Sequence, residues 1–318
     1  MTDLQWGRLS NDAFNVTLFS YIVAMVGYFA YLAFRRTTFW AVARAIATAG
    51  LLANVVCVVT RGIAAHRVPW GNMYEYSVLL ALLLVAGYLV IVEGHYKIRT
   101  LGGFALMFAV LTMAIAVSFL YVGPAPLVPA LNSYWIKIHV VAAISGSSLF
   151  ALGGGVLTIL FLVQDRRERK ELATLRAQEP PPIMGGSIDL DAPPDFAPDA
   201  DEPATGPTAR PGVLPPAATL DRMAYRVIAF AFPIWTFAVI AGAIWAQSAW
   251  GRYWGWDPKE TWSFITWVIY AGYLHARSTS GWKGRPAAVV ALVGFVSLLI
   301  TYYAVNLWIV GLHSYKGF

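Results

Sequence analysis

Between Trp250 and Glu260 the chain reads WGRYWGWDPKE, which crowds Trp250, Tyr253, Trp254 and Trp256 into seven residues around Gly251 and Gly255. Trp and Tyr gather at membrane interfaces, and such a belt accounts for Trp262, Trp267 and Trp308. It accounts poorly for four large aromatics in so short a loop. Interleaved with glycine, they make a flat, closely approachable surface that suits a planar apolar ligand edged with polar groups. The acidic end of the loop has the spacing of a capping box: Asp257 as N-cap, Pro258 at N1 and Glu260 at N3 would begin a helix and satisfy its first amides. A helix start fixed in this way holds the aromatic loop against the membrane.

Of the five histidines, two fall at the level of this loop. His139 lies at the outer end of an apolar run in YWIKIHV, and His313 lies just past the end of the last one in VGLHSY. A single histidine at a membrane boundary is an ordinary interfacial residue. Two on the face that carries the tryptophans point to a metal pair, because neutral imidazole is an axial ligand of heme iron. His275 is different, since it falls about 14 residues beyond Thr261, roughly 21 Å down a helix at 1.5 Å per residue. An ionisable group at that depth reads as functional, with nearby Arg277 marking the water boundary as the competing explanation. Ala271 and Gly272, one turn earlier, leave a recess beside it. His66 and His95 adjoin polar boundary residues and read as solvated.

These side chains have to be positioned by membrane helices. The 318 residues are 58% hydrophobic and 13% charged, with a mean hydropathy of +0.59, a balance that uses lipid as solvent and excludes soluble enzyme folds. The fold class expected is all-α, a polytopic membrane protein of about eight transmembrane helices. At about 20 apolar residues per crossing, the segments are Ala13 to Phe34, Phe39 to Thr60, Tyr76 to Val92, Leu101 to Val122, Ile138 to Val163, Val227 to Gln247, Pro258 to His275 and Pro286 to Trp308. The net charge of +6 comes from short clusters between apolar runs, so it speaks for membrane orientation and against nucleic acid. With both termini outside, 16 of the 23 Lys and Arg residues fall on the cytoplasmic side and 7 remain outside. The loop, His139 and His313 then face outward. The run 165–221, opening with DRRERKE and continuing rich in Pro, Asp and Ala, reads as a disordered cytoplasmic linker between a five-helix portion, 1–164, and a three-helix portion, 222–318. The single cysteine, Cys57, falls in an apolar run, so any thiol chemistry must use a partner's thiols.

The loop Trp250 to Glu260 resembles the WWD signature of heme-handling proteins. Together with His139 before it, His275 after it, the terminal GLHSY and the N-terminal PWGNMYEYS at Pro69 to Ser77, the pattern resembles the CcsA/ResC subunit, also labelled CcsB, of the System II cytochrome c synthase. That resemblance implies an external heme surface bearing Trp250, Tyr253, Trp254, Trp256 and Asp257, with His139 and His313 as axial ligands. It also implies that His275 belongs to a second, inner heme position on a route from the cytoplasm. The other ligand there would come from a separate ResB/CcsB-like membrane subunit.

The function this implies is cytochrome c biogenesis at the plasma membrane. Heme b with reduced iron would be the substrate, held for attachment to the CXXCH segment of an apocytochrome c. The histidine of that segment would replace one ligand while its two thiols add across the heme vinyl groups, and this chain would supply proximity and orientation rather than a nucleophile. Two alternatives stand beside it: a CcmC-like heme exporter that hands heme to a chaperone, and a membrane scaffold whose aromatics are only belts.

Overall fold

A computed structural model describes residues 1–125, 133–178, 214–309 and 311. Among these residues the chain is all-helical. In order it forms α1 (Asp3–Phe34), α2 (Thr37–Ala64), α3 (Met73–Gly87), α4 (Gly102–Phe119), α5 (Tyr134–Phe150), α6 (Thr158–Gln178), α7 (Ala217–Trp250), α8 (Pro258–Thr279), α9 (Arg285–Leu299) and the short α10 (Val305–Trp308). Three π-helical stretches continue these helices without a break: Tyr88–His95 after α3, Ala151–Leu157 between α5 and α6, and Ile300–Ala304 between α9 and α10. Among the described residues, seven helical runs are long and apolar enough to cross a membrane. The eighth expected segment is also helical, as α8, but Thr261, Ser263, Thr266 and His275 make it less apolar than the rest.

The run from Tyr134 to Gln178 is the centre of the bundle, with 78% of its most apolar stretch buried inside the protein. Its glycines explain how it can be. A β-carbon at Gly154 would fall 2.2 Å from the Tyr270 hydroxyl, and one at Gly294 would fall 2.8 Å from the same ring. Tyr270 of α8 therefore fills a slot between two glycines and stacks on Phe150 at 3.9 Å. Small residues let helices approach closely where lipid offers no hydrophobic driving force between them.

The charged run expected to open a disordered linker at Asp165 is helical to Gln178, and α7 begins at Ala217, before the expected boundary at 221. Composition alone hid the pairing. Asp165 accepts from Arg169 one turn later, at 3.0 Å, and from Arg285 at 2.6 Å. Glu168 accepts the first amide of α7, that of Ala217, at 2.9 Å. Residues 179–213 of that expected linker lie outside the described residues.

Candidate functional site

A large cavity opens at the end of the bundle where α7 stops and α8 starts. It encloses about 1130 Å³ of empty space counted out to its open mouth. Several elements wall it. The segment before α3 contributes Trp70, Gly71 and Asn72; α5 contributes Ile136, His139 and Ala143; α7 contributes Trp235, Ala238, Gly242 and Trp245. The loop and α8 add Tyr253, Trp254, Lys259 and Glu260, and the π stretch after α9 adds Thr301 and Tyr302. At the floor, Tyr76 stacks on Tyr302 at 4.4 Å, and Ser147 Oγ lies 2.8 Å from both their hydroxyls. Buried polar groups are thereby satisfied by one another beneath an aromatic chamber.

His139 lies in the second turn of α5, and its Nδ1 is 2.7 Å from the Ala238 carbonyl on α7. A carbonyl can only accept, so Nδ1 carries a proton and, in the neutral ring, the lone pair is on Nε2. That is the tautomer a metal-binding imidazole needs, with its orientation set by a backbone carbonyl. Gly242 makes the approach possible, since a β-carbon there would fall 2.7 Å from His139 Nδ1.

The aromatic loop is not the flat surface its composition implies. Trp254 and Trp256 stand perpendicular, centroids 5.8 Å apart, and Trp250 meets Trp245 nearly edge-on at 4.8 Å. Aromatic quadrupoles favour this edge-to-face arrangement over a coplanar one. Trp254 and Tyr253 line the cavity; Trp250 backs it through Trp245; Trp256 points outward, 66% exposed. The Trp256 backbone is in the left-handed region, φ 57°, a conformation rare for a bulky residue and concentrated at functional sites.

Asp257 is buried and forms the expected capping box with Glu260, whose Oε2 accepts from the amides of Gly255 at 2.8 Å and Asp257 at 3.0 Å. A single carboxylate thus ties the loop to the helix start. Losing an N-cap costs about 1 kcal/mol. Asp257→Ala is therefore expected to raise limited proteolysis within the loop several-fold, whereas Asp257→Ser, which caps equally well, leaves it unchanged.

Of the remaining expected site residues, His275 is placed apart from the cavity. His275 is exposed near the far end of α8, beside Gly272, whose β-carbon position is open space. Arg277, close by on the same helix, is paired. It makes a bidentate pair with Asp221 at 2.8 and 3.0 Å and lies over the Tyr225 ring at 4.7 Å. His313 lies outside the described residues; Gly311, two residues earlier, is close enough to the cap that a β-carbon on it would meet Asp257 Oδ1 at 2.7 Å. The lining residues Trp235, Tyr302, Trp245 and Lys259 carried no signal of their own in the sequence. Trp70 to Tyr76 lay within PWGNMYEYS, the signal that could have placed them.

Curated relatives named cytochrome c biogenesis protein CcsA align over nearly the whole chain. That of Gloeobacter violaceus is 37% identical over 325 residues, covering 95% of this chain and 94% of the relative. The Synechococcus elongatus protein is 39% identical over 292 residues, 86% and 88% of the two chains. The Mesostigma viride protein is 37% identical over 257 residues, 80% and 79%. Among solved structures, the cytochrome c heme lyase CcmF superposes with a TM-score of 0.64 at 15% identity, which shows a shared fold. The match covers 95% of this chain but 47% of that longer protein. The family model for cytochrome c assembly proteins matches residues 70–313, a span that takes in Trp70, His139, the aromatic loop and α8, and the chain belongs to that family.

Proposed function

We propose that the cavity holds heme b, as substrate with reduced iron, and presents it for covalent attachment to an apocytochrome c. The observation that carries this reading is the His139 imidazole, fixed by the Ala238 carbonyl with its lone pair on Nε2, in the wall of an aromatic cavity. Among the described residues, no three His, Cys, Asp or Glu side chains come together to hold a bare ion. One imidazole suits a metal that brings four ring nitrogens of its own. His313 would be the second axial ligand, and the closeness of Gly311 to Asp257 supports that choice.

In this reading Tyr253, Trp254, Trp70 and Trp245 enclose the ring and exclude water, and Trp250, Trp256 and Asp257 shape the mouth. The thiols of a CXXCH segment add across the vinyl groups. Each step forms a sulfur–carbon bond and moves the thiol proton to the neighbouring vinyl carbon, with no net oxidation. The chain supplies proximity and orientation, the main resource where no nucleophile is needed. His275, exposed at the opposite end of α8, would meet a second heme position completed by a ResB/CcsB-like membrane subunit. The cavity would open on the extracytoplasmic face of the plasma membrane, with both termini outside.

The test is to express the chain with that partner in a host lacking other maturation genes and to stain denatured cytochrome c for heme. Covalent heme that depends on this chain supports the synthase reading. Heme that copurifies with the chain while the cytochrome stays unmodified points instead to an exporter that passes heme to a chaperone, and failure to copurify heme under reducing conditions points to a scaffold.

A further inference from the structure

Asn72 lines the cavity and is 5% exposed. As the N-cap of α3 its Oδ1 accepts the Glu75 amide at 2.9 Å, which fixes the side-chain amide and leaves Nδ2 as the donor end. That Nδ2 is buried with no hydrogen-bond partner among the described residues. A buried donor left without an acceptor is costly enough to require an explanation. The surroundings indicate what the acceptor is. The N-terminus of α3 ends at this corner, and helix N-termini favour negative charge. Behind it, Glu75 is shared by Arg61, through Nε at 2.9 Å, and Arg67, through Nη1 at 2.7 Å, while also accepting the Gly71 amide at 2.8 Å. Two guanidinium groups on one buried carboxylate leave that cluster net positive. Across the cavity, the Lys259 ammonium is 3.3 Å from Asn306 Oδ1, and Glu260, the one acidic lining residue among the described residues, has an oxygen occupied by two backbone amides.

We infer that the Asn72 corner is a carboxylate-binding subsite, in which Nδ2 and the N-terminal end of α3 take one propionate of the ring held by His139. This rests on the heme reading and adds an orientation to it: the propionate edge faces α3 and the PWGN segment.

The test titrates hemin, and separately hemin dimethyl ester, into the full-length chain in detergent and follows the Soret band. Asn72→Asp and Asn72→Ser both keep the cap, so α3 still starts at the same residue. Asn72→Asp replaces the donor with a like charge and is expected to weaken hemin binding about tenfold or more, and Asn72→Ser by a smaller factor, while the ester, which keeps a carbonyl acceptor but carries no charge, loses several-fold less than hemin in the Asp variant. Equal losses for hemin and ester, or unchanged hemin binding in both variants, would overturn the subsite and leave the cavity as the heme site. If the unaltered chain binds neither compound, the heme reading falls and the subsite with it.

Discussion

Replacing His139 by alanine is expected to remove the heme held in the cavity and to lower cytochrome c maturation about tenfold or more, since changes even in the partners of a metal ligand cost 10- to 100-fold. Alanine is the best helix former, so α5 stays intact and the loss reports on the imidazole. Adding imidazole to the Ala variant is expected to restore part of the heme and part of the yield, because the vacated space is bounded by Gly242 and the Ala238 carbonyl and matches the missing ring. Tyr253→Ala provides the contrast. That ring lines the cavity mouth but is 61% exposed, so its removal is expected to weaken retention only several-fold. Unchanged heme content in the His139 variant, read from a pyridine hemochrome spectrum, would show that the iron is held elsewhere.

Gly242→Ala is expected to be nearly as damaging, although alanine should stabilise the helix itself by up to about 1 kcal/mol. The new β-carbon would fall 2.7 Å from His139 Nδ1 and 2.8 Å from Cε1, well inside the 3.5–4.0 Å at which non-bonded carbon atoms are in optimal contact. The imidazole has to move, and its 2.7 Å bond to Ala238 goes with it. With Nδ1 no longer held by a carbonyl, neither the tautomer nor the ring orientation is fixed. The expected result is normal expression and unchanged thermal stability, a shifted Soret band and about tenfold less mature cytochrome. Gly87→Ala is the matched control, because a β-carbon there meets nothing within 4 Å. Equal effects of the two substitutions would mean that the damage is general to the helices.

The start of α8 was readable from sequence because its signal is local. Asp257, Pro258 and Glu260 span one turn, and each has a single job at a helix N-terminus. The helices were readable because lipid imposes their length and apolarity, although the end of α6 was not. There the charged run looked like linker by composition, while its stability comes from a one-turn pair and a distant partner, Arg169 and Arg285 to Asp165. The cavity was the least legible part. Trp235 and Tyr302 lie within apolar runs where an aromatic facing the site looks the same as one facing lipid, and Tyr76 meets Tyr302 across more than 200 residues of sequence. His139 was identified by its type and level, whereas its tautomer depends on a carbonyl 99 residues away. The flat platform inferred from the loop gave way to perpendicular rings, because side-chain packing rather than composition decides how aromatics meet.

The most direct measurement is the position of the iron in a structure of the chain with its membrane partner and bound heme. The iron is expected within bonding distance of His139 Nε2, with the ring against Trp254 and a propionate at Asn72. An outer heme whose iron is beyond bonding distance of His139, or a heme found only beside His275 with this cavity empty, would contradict the account.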